Sequence, residues 1–272
     1  MNKRITSGII GAVFALIVLV FGQNFPFVLS TTIAIISVLA MREIFSVMGI
    51  ANQNIIVLPT LIFVPLFALF GNANIWQMII YIYSLFIFSL MIIKPQFRLK
   101  DIAFTYSMAI IISMSMGTIS MLRNLGGIYG SFYVFLALVT AWMSDTGAYF
   151  CGKLLGKNKL CPNVSPKKTI EGFFGGIITC IVSLVIIACI FNNLIFPEKQ
   201  HINYFLIIIM GLIGSMISTL GDLCFSVIKR KNGVKDFGNF MPGHGGILDR
   251  FDSVIFVVPY VFLFLKFIKI IH

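Results

Sequence analysis

Nine apolar runs separated by short polar connections constrain this chain more than any other feature, at about 5–22, 26–41, 55–70, 75–93, 102–121, 128–143, 173–191, 203–221 and 254–271. A helix needs roughly 20 apolar residues to cross about 30 Å of hydrocarbon. Hydrophobic residues make up 59% of the chain and charged residues 11%, where a soluble domain has about 45–50% and about 25%. The expected fold is all-α, a polytopic integral membrane protein of about nine transmembrane helices with cytoplasmic catalytic loops. Pro59 and Pro65 are expected to kink the third run. Lys3-Arg4 and the run behind them look like a signal peptide, but no Ala-x-Ala-like cleavage site follows, so an uncleaved first helix is expected.

The net charge is +11. Its basic residues sit between apolar runs, where topology and phosphate chemistry use them, and no nucleic-acid partner is expected. With the N-terminus inside, all but Arg123, Lys199, Lys266 and Lys269 of the 20 basic residues fall on the cytoplasmic side. The positive-inside rule then turns the loops after runs six and eight toward the cytoplasm. Cys151, Cys161, Cys180, Cys189 and Cys224 form no CxxC pair, which argues against a metal cluster or disulfide framework. Residues 1–125 read as N-terminal transmembrane helices with Glu43 and Asp101 their only acids, and residues 126–272 as the catalytic region.

Six of the nine acids lie in two segments, 142–176 and 221–253: Asp145, Glu171, Asp222, Asp236, Asp249 and Asp252. Acids beside a membrane are costly unless they pair or bind a cation. In the first segment, Ser165-Pro166-Lys167-Lys168-Thr169 runs directly into an apolar helix, whose free N–H groups favour phosphate. No Walker A loop is present. In the second, Asp222, Ser226, Lys229 and Arg230 stand at offsets of four, seven and eight, which on a continued helix puts acid, hydroxyl and cation on one face. Carboxylates from separate elements suit Mg²⁺, which completes its shell with waters and substrate phosphates. Asp222 and Asp249 are the expected pair.

Plainer readings stand beside these. The first segment could be a solvated basic loop that touches anionic lipid. His244 between glycines is more often a loop residue than a ligand, Arg250 could pair with Asp249 or Asp252, and Asp236 with Lys235. Trp142 and Tyr149 fit an interfacial aromatic belt as well as they fit base stacking.

From Ser226 through Lys229-Arg230, Lys235-Asp236 and His244-Gly245-Gly246 to Asp249-Arg250-Phe251-Asp252, the sequence resembles the phosphatidate cytidylyltransferase (CDP-diacylglycerol synthase) family. Asp145-Thr146-Gly147-Ala148-Tyr149 and Ser165-Pro166-Lys167-Lys168-Thr169-x-Glu171-Gly172 are similar to it too. The resemblance covers about residues 142–176 and 221–253; the first 125 match only as apolar spans.

The resemblance implies that CTP and phosphatidate give CDP-diacylglycerol and pyrophosphate with Mg²⁺. It also implies a homodimer in the plasma membrane with its polar site open to the cytoplasm. Asp222 and Asp249 would hold the metal with Asp145 as third contributor, and Lys229 and Arg230 would act on the reacting phosphates. Ser165, Lys167, Lys168, Thr169, Ser226, His244 and Arg250 would bind substrate, and Gly245-Gly246 would let phosphate or nucleotide approach closely.

Three other readings compete. A CDP-alcohol phosphotransferase needs a DGxxAR…GxxxD…D motif that is absent. A polyprenol or dolichol kinase would also bring CTP to a membrane lipid. A transporter would carry its charges mid-span and often an inverted repeat, and neither is visible.

Overall fold

The computed structural model describes residues 2–196, 200–239 and 245–271, with side chains from residue 13 onward except that of Ala73. Lys199 and His244, both named in the sequence reading, lie outside the described residues.

A helix forms at each apolar run: α1 (Asn2–Asn24), α2 (Pro26–Met48), α3 (Asn54–Leu69), α4 (Ala73–Ile93), α5 (Leu99–Gly126), α6 (Gly130–Leu155), α7 (Ile170–Ile190), α8 (Tyr204–Lys231) and α10 (Val254–Phe267). Between the last two lies a single helical turn, α9 (Leu248–Phe251). Among the described residues, five helical stretches are long and apolar enough to cross a membrane: Pro26–Met48, Asn74–Ile93, Leu99–Leu155, Ile170–Ile195 and Tyr204–Lys231. The protein is thus a helical membrane protein. α3 has 16 residues and α10 has 14, short of the roughly 20 a perpendicular crossing takes, so these lengths do not establish nine crossings.

One element departs from the helical expectation. Strands β1 (Lys159–Cys161) and β2 (Ser165–Thr169) form an antiparallel hairpin with Lys159 opposite Thr169 and Cys161 opposite Ser165. Pro166 is tolerated because a two-stranded hairpin has only edge strands.

The chain divides into two compact units, residues 1–124 with 234–250, and residues 125–233 with 251–272. In the first, α2 and α3 bury Met41, Ile44, Phe45 and Phe67, and α5 contributes Ile112 and Met116. Gly117 on α5 sits so close to α3 that a Cβ there would stand 2.8 Å from the Phe67 carbonyl oxygen. Tyr83 of α4 stacks on Phe63 of α3 at 3.8 Å and shares a 2.9 Å hydrogen bond with Thr60, satisfying both hydroxyls inside an apolar layer.

The second unit is built on a glycine seam between α6 and α7. A Cβ on Gly176 would stand 2.7 Å from the Ser144 carbonyl oxygen, and one on Gly172 2.7 Å from that of Ala148. A Cβ on Gly175 would overlap the Cys151 side chain. Small residues at such spacing let two membrane helices approach backbone to backbone, where dispersion replaces the missing hydrophobic drive. The seam holds α6, which carries Asp145, against the helix that follows the lysine-bearing hairpin.

Candidate active site

Thr169 sets the geometry of the hairpin's exit. Its backbone is extended (φ −126°, ψ 157°), and its hydroxyl accepts from Gly172 N at 3.1 Å, capping α7 as N-cap threonines do. Glu171 in the first turn accepts from Lys157 N at 3.0 Å, Asn158 N at 3.1 Å and Asn158 Nδ2 at 2.8 Å. These bonds tie the chain ahead of β1 to the start of α7, so the lysines of β2 leave from a fixed base. Lys168 reaches the Asp222 carboxylate as an ion pair, while Lys167 is exposed.

α8 runs unbroken to Lys231, so the offsets read from the sequence fall on one helix. Asp222 accepts from Ser226 Oγ at 3.4 Å. Ser226 and Lys229 are buried along the same stripe and Arg230 is exposed. Gly221 keeps the stripe close to the chain before α10, since a Cβ there would stand 3.0 Å from the Asp252 carbonyl oxygen. Lys229 Nζ lies 3.8 Å from Asp252 Oδ2 with both side chains 9% exposed.

Asp145 completes the group. Its Oδ2 accepts from Ser253 Oγ at 2.8 Å, and Ser218 Oγ stands 3.5 Å from its Oδ1. α6 extends to Leu155, past the expected end of the sixth run, so Asp145 lies on a helix and not in a loop. Asp145, Asp222 and Asp252 therefore act on one another electrostatically within one unit, against two lysines. Burial, and then the charges of Asp222 and Asp145, push the Asp252 carboxyl well above the usual carboxylate range. Like-charged carboxylates gathered in this way favour a cation among them.

Among the described residues, no three carboxylate, imidazole or thiol groups form a metal cage of their own. Mg²⁺ does not need one. It takes one or two carboxylates and fills its octahedron with waters and substrate phosphates. Of this cluster, Asp145 and Asp222 are the pair of carboxylates that could hold such an ion.

Asp249, the expected partner of Asp222, lies in the other unit. Its Oδ2 accepts from Phe237 N at 2.8 Å and Gly246 N at 2.9 Å. Gly245 adopts φ +83°, and a Cβ there would stand 2.8 Å from Asp249 Oδ2, so its place in the loop calls for glycine. Arg250 is exposed, and His244 lies outside the described residues. Three participants went unassigned in the sequence: Ser253 and Ser218, which hold Asp145, and Glu43, whose carboxylate accepts from Ile247 N and Leu248 N at 2.8 Å each. Only Glu43 carried a signal, as an acid just past the end of an apolar run.

A model of the cytidylyltransferase family matches residues 2–268. The chain is 35% identical over 276 residues to the phosphatidate cytidylyltransferase of Bacillus subtilis (strain 168), covering 97% of each chain. It is 33% identical over 266 residues to that of Staphylococcus aureus (strain COL), covering 95% of this chain and 96% of that one. With that of Staphylococcus epidermidis (strain ATCC 35984), identity reaches 49% over 127 residues, 47% of this chain and 46% of the other.

Proposed function

The chain belongs to the cytidylyltransferase family of nucleotidyltransferases, and on that premise we propose that it makes CDP-diacylglycerol and pyrophosphate from CTP and phosphatidate in a Mg²⁺-dependent reaction. The observation that carries the proposal is the group of Asp145, Asp222 and Asp252 with Lys168 and Lys229, gathered beside apolar helices. Such a group handles phosphates at a membrane surface, where a lipid phosphate and a water-soluble nucleotide meet.

The phosphatidate phosphate is an oxyanion at neutral pH and needs no general base. One of its oxygens attacks the α-phosphorus of CTP. The bond from that phosphorus to the oxygen bridging to the β-phosphate breaks, and pyrophosphate leaves with the electron pair. Mg²⁺, when bound, neutralises charge on the reacting phosphates. Asp145 and Asp222 would hold it, with Asp252 beside them. Lys168 and Lys229, held by their carboxylates, supply fixed positive charge, which is most of what a protein contributes to phosphoryl chemistry. Lys167 is exposed and suited to incoming phosphate oxygens, and Arg230 is assigned to the phosphates from its motif. Ser165 offers a hydroxyl, whereas the Ser226 hydroxyl already binds Asp222 and that of Thr169 caps α7.

Asp249, Arg250, Gly245 and Gly246 are assigned to the same reaction from their motif. Asp249→Asn is expected to lower kcat about 100-fold, the scale of loss when a placed group shifts by an ångström, with normal expression. Near-wild-type turnover in that variant would remove Asp249 from the reaction.

The distribution of basic residues supports a multi-pass plasma-membrane protein with this site on the cytoplasmic side, and we propose that it acts as a homodimer. Purified protein in phosphatidate-containing micelles should convert CTP to CDP-diacylglycerol with Mg²⁺ and stop with a chelator. No product above a protein-free control would defeat the proposal, and product from a polyprenol in place of phosphatidate would favour a lipid kinase.

A further inference from the structure

Glu43 is the sole acid on α2, a helix otherwise apolar but for Arg42 and a few hydroxyls. An acid in such a run is expensive unless its oxygens are satisfied. Here they are satisfied by main chain more than 200 residues away: Oε1 accepts from Ile247 N and Oε2 from Leu248 N, each at 2.8 Å. The loop also closes around the carboxylate from two other positions. A Cβ on Gly238 would stand 2.8 Å from Oε1, and one on Gly246 would overlap the carboxylate group itself.

A second acid ties the same loop from within. Asp249 binds the amides of Phe237 and Gly246, so two carboxylates hold four backbone N–H groups, those of Phe237, Gly246, Ile247 and Leu248. Neither Glu43 oxygen is paired with a Lys or Arg among the described residues, and each already holds an amide. That arrangement suits a fastener of backbone and not a ligand for substrate or metal. The fastened stretch is the Gly245-Gly246 and Asp249 part of the second motif.

We propose that Glu43 is a positioning residue for the nucleotidyl transfer, fixing the loop that presents Gly245, Gly246 and Asp249. Its activity consequence rests on the cytidylyltransferase reading above; its structural consequence does not. The chemistry predicts how substitutes behave. Glutamine keeps the length but has one acceptor oxygen, so its NH₂ group would face an N–H. Aspartate keeps both acceptors but is one methylene short. Alanine leaves two amides unbound.

Two measurements on the full-length protein in micelles test this. Amide hydrogen exchange of the peptide covering 245–249 should quicken in Glu43→Gln and further in Glu43→Ala. Turnover of CTP and phosphatidate should fall in the same order, reaching about 100-fold for alanine in kcat with KM for CTP within about twofold, because a shifted loop misplaces groups without removing a binding contact. If alanine does not fold, the glutamine variant carries the test alone. Unchanged exchange in a folded variant would show that Glu43 does not fasten the loop. Quickened exchange with wild-type kcat would show that the fastening does not serve the reaction. An inactive wild-type protein with the predicted exchange pattern would count against the enzymatic reading and leave the fastener standing.

Discussion

Asp222→Asn is expected to cut turnover about 10³-fold, or roughly 4 kcal/mol of transition-state stabilisation, while the protein folds at least as well as before. Asp222 is the hinge of the acid cluster. It pairs with Lys168, accepts from Ser226, and its charge acts on both Asp145 and Asp252. An asparagine of the same shape removes the charge proposed to hold the metal and also removes two repulsions. Activity and stability should therefore move in opposite directions, kcat down and the thermal midpoint unchanged or up. Near-wild-type turnover would take Asp222 out of the metal site. A large fall in the midpoint would mean that the Lys168 pair outweighs the repulsion.

Lys229→Met carries the second large effect, with the opposite sign for stability. Lys229 and Asp252 are both buried, and removing one partner of a buried pair leaves an uncompensated charge, at a cost of about 3–5 kcal/mol. The methionine fills most of the volume, so the loss is electrostatic and not a cavity. Turnover should fall with stability, since the same lysine is proposed to supply positive charge to the reacting phosphates. Lys229→Met combined with Asp252→Asn separates the two roles. The double variant should regain most of the thermal midpoint, as neutral residues replace the pair, yet stay inactive. Recovery of activity in it would show that Lys229 serves the fold alone. Thermal unfolding in micelles and initial rates of CTP turnover read both outcomes.

What could be read from the sequence follows the range of the interactions. The apolar runs became helices because length and composition decide that locally, and the offsets of Asp222, Ser226 and Lys229 were legible because one unbroken helix carries them. The Ser165–Thr169 approach to α7 was legible for the same reason. Run ends were less so: α6 continues through Asp145 to Leu155, since polar residues at a membrane surface end hydrophobicity without ending a helix.

Partnerships across long stretches of chain could not be read. Nothing near Asp145 in the sequence points to Ser253, 108 residues on, and nothing near Glu43 points to the amides of Ile247 and Leu248. Backbone donors have no side-chain signature, so a loop that binds through its N–H groups is silent in a sequence. Asp249 and Asp252 show the same limit. Three residues apart, they would share a face on a long helix, but α9 is one turn. Asp249 binds loop amides while Asp252 joins Asp145 and Asp222 electrostatically.

The most direct test of the central claim follows each phosphate of CTP. Protein in phosphatidate-containing micelles with Mg²⁺ is given CTP labelled in the α-phosphate and, in parallel, CTP labelled in the γ-phosphate. Attack on the α-phosphorus predicts that the α label appears in CDP-diacylglycerol and the γ label leaves in pyrophosphate, one for one. A γ label recovered in the lipid, with CDP released, would mean that a terminal phosphoryl group is transferred, and would contradict the account.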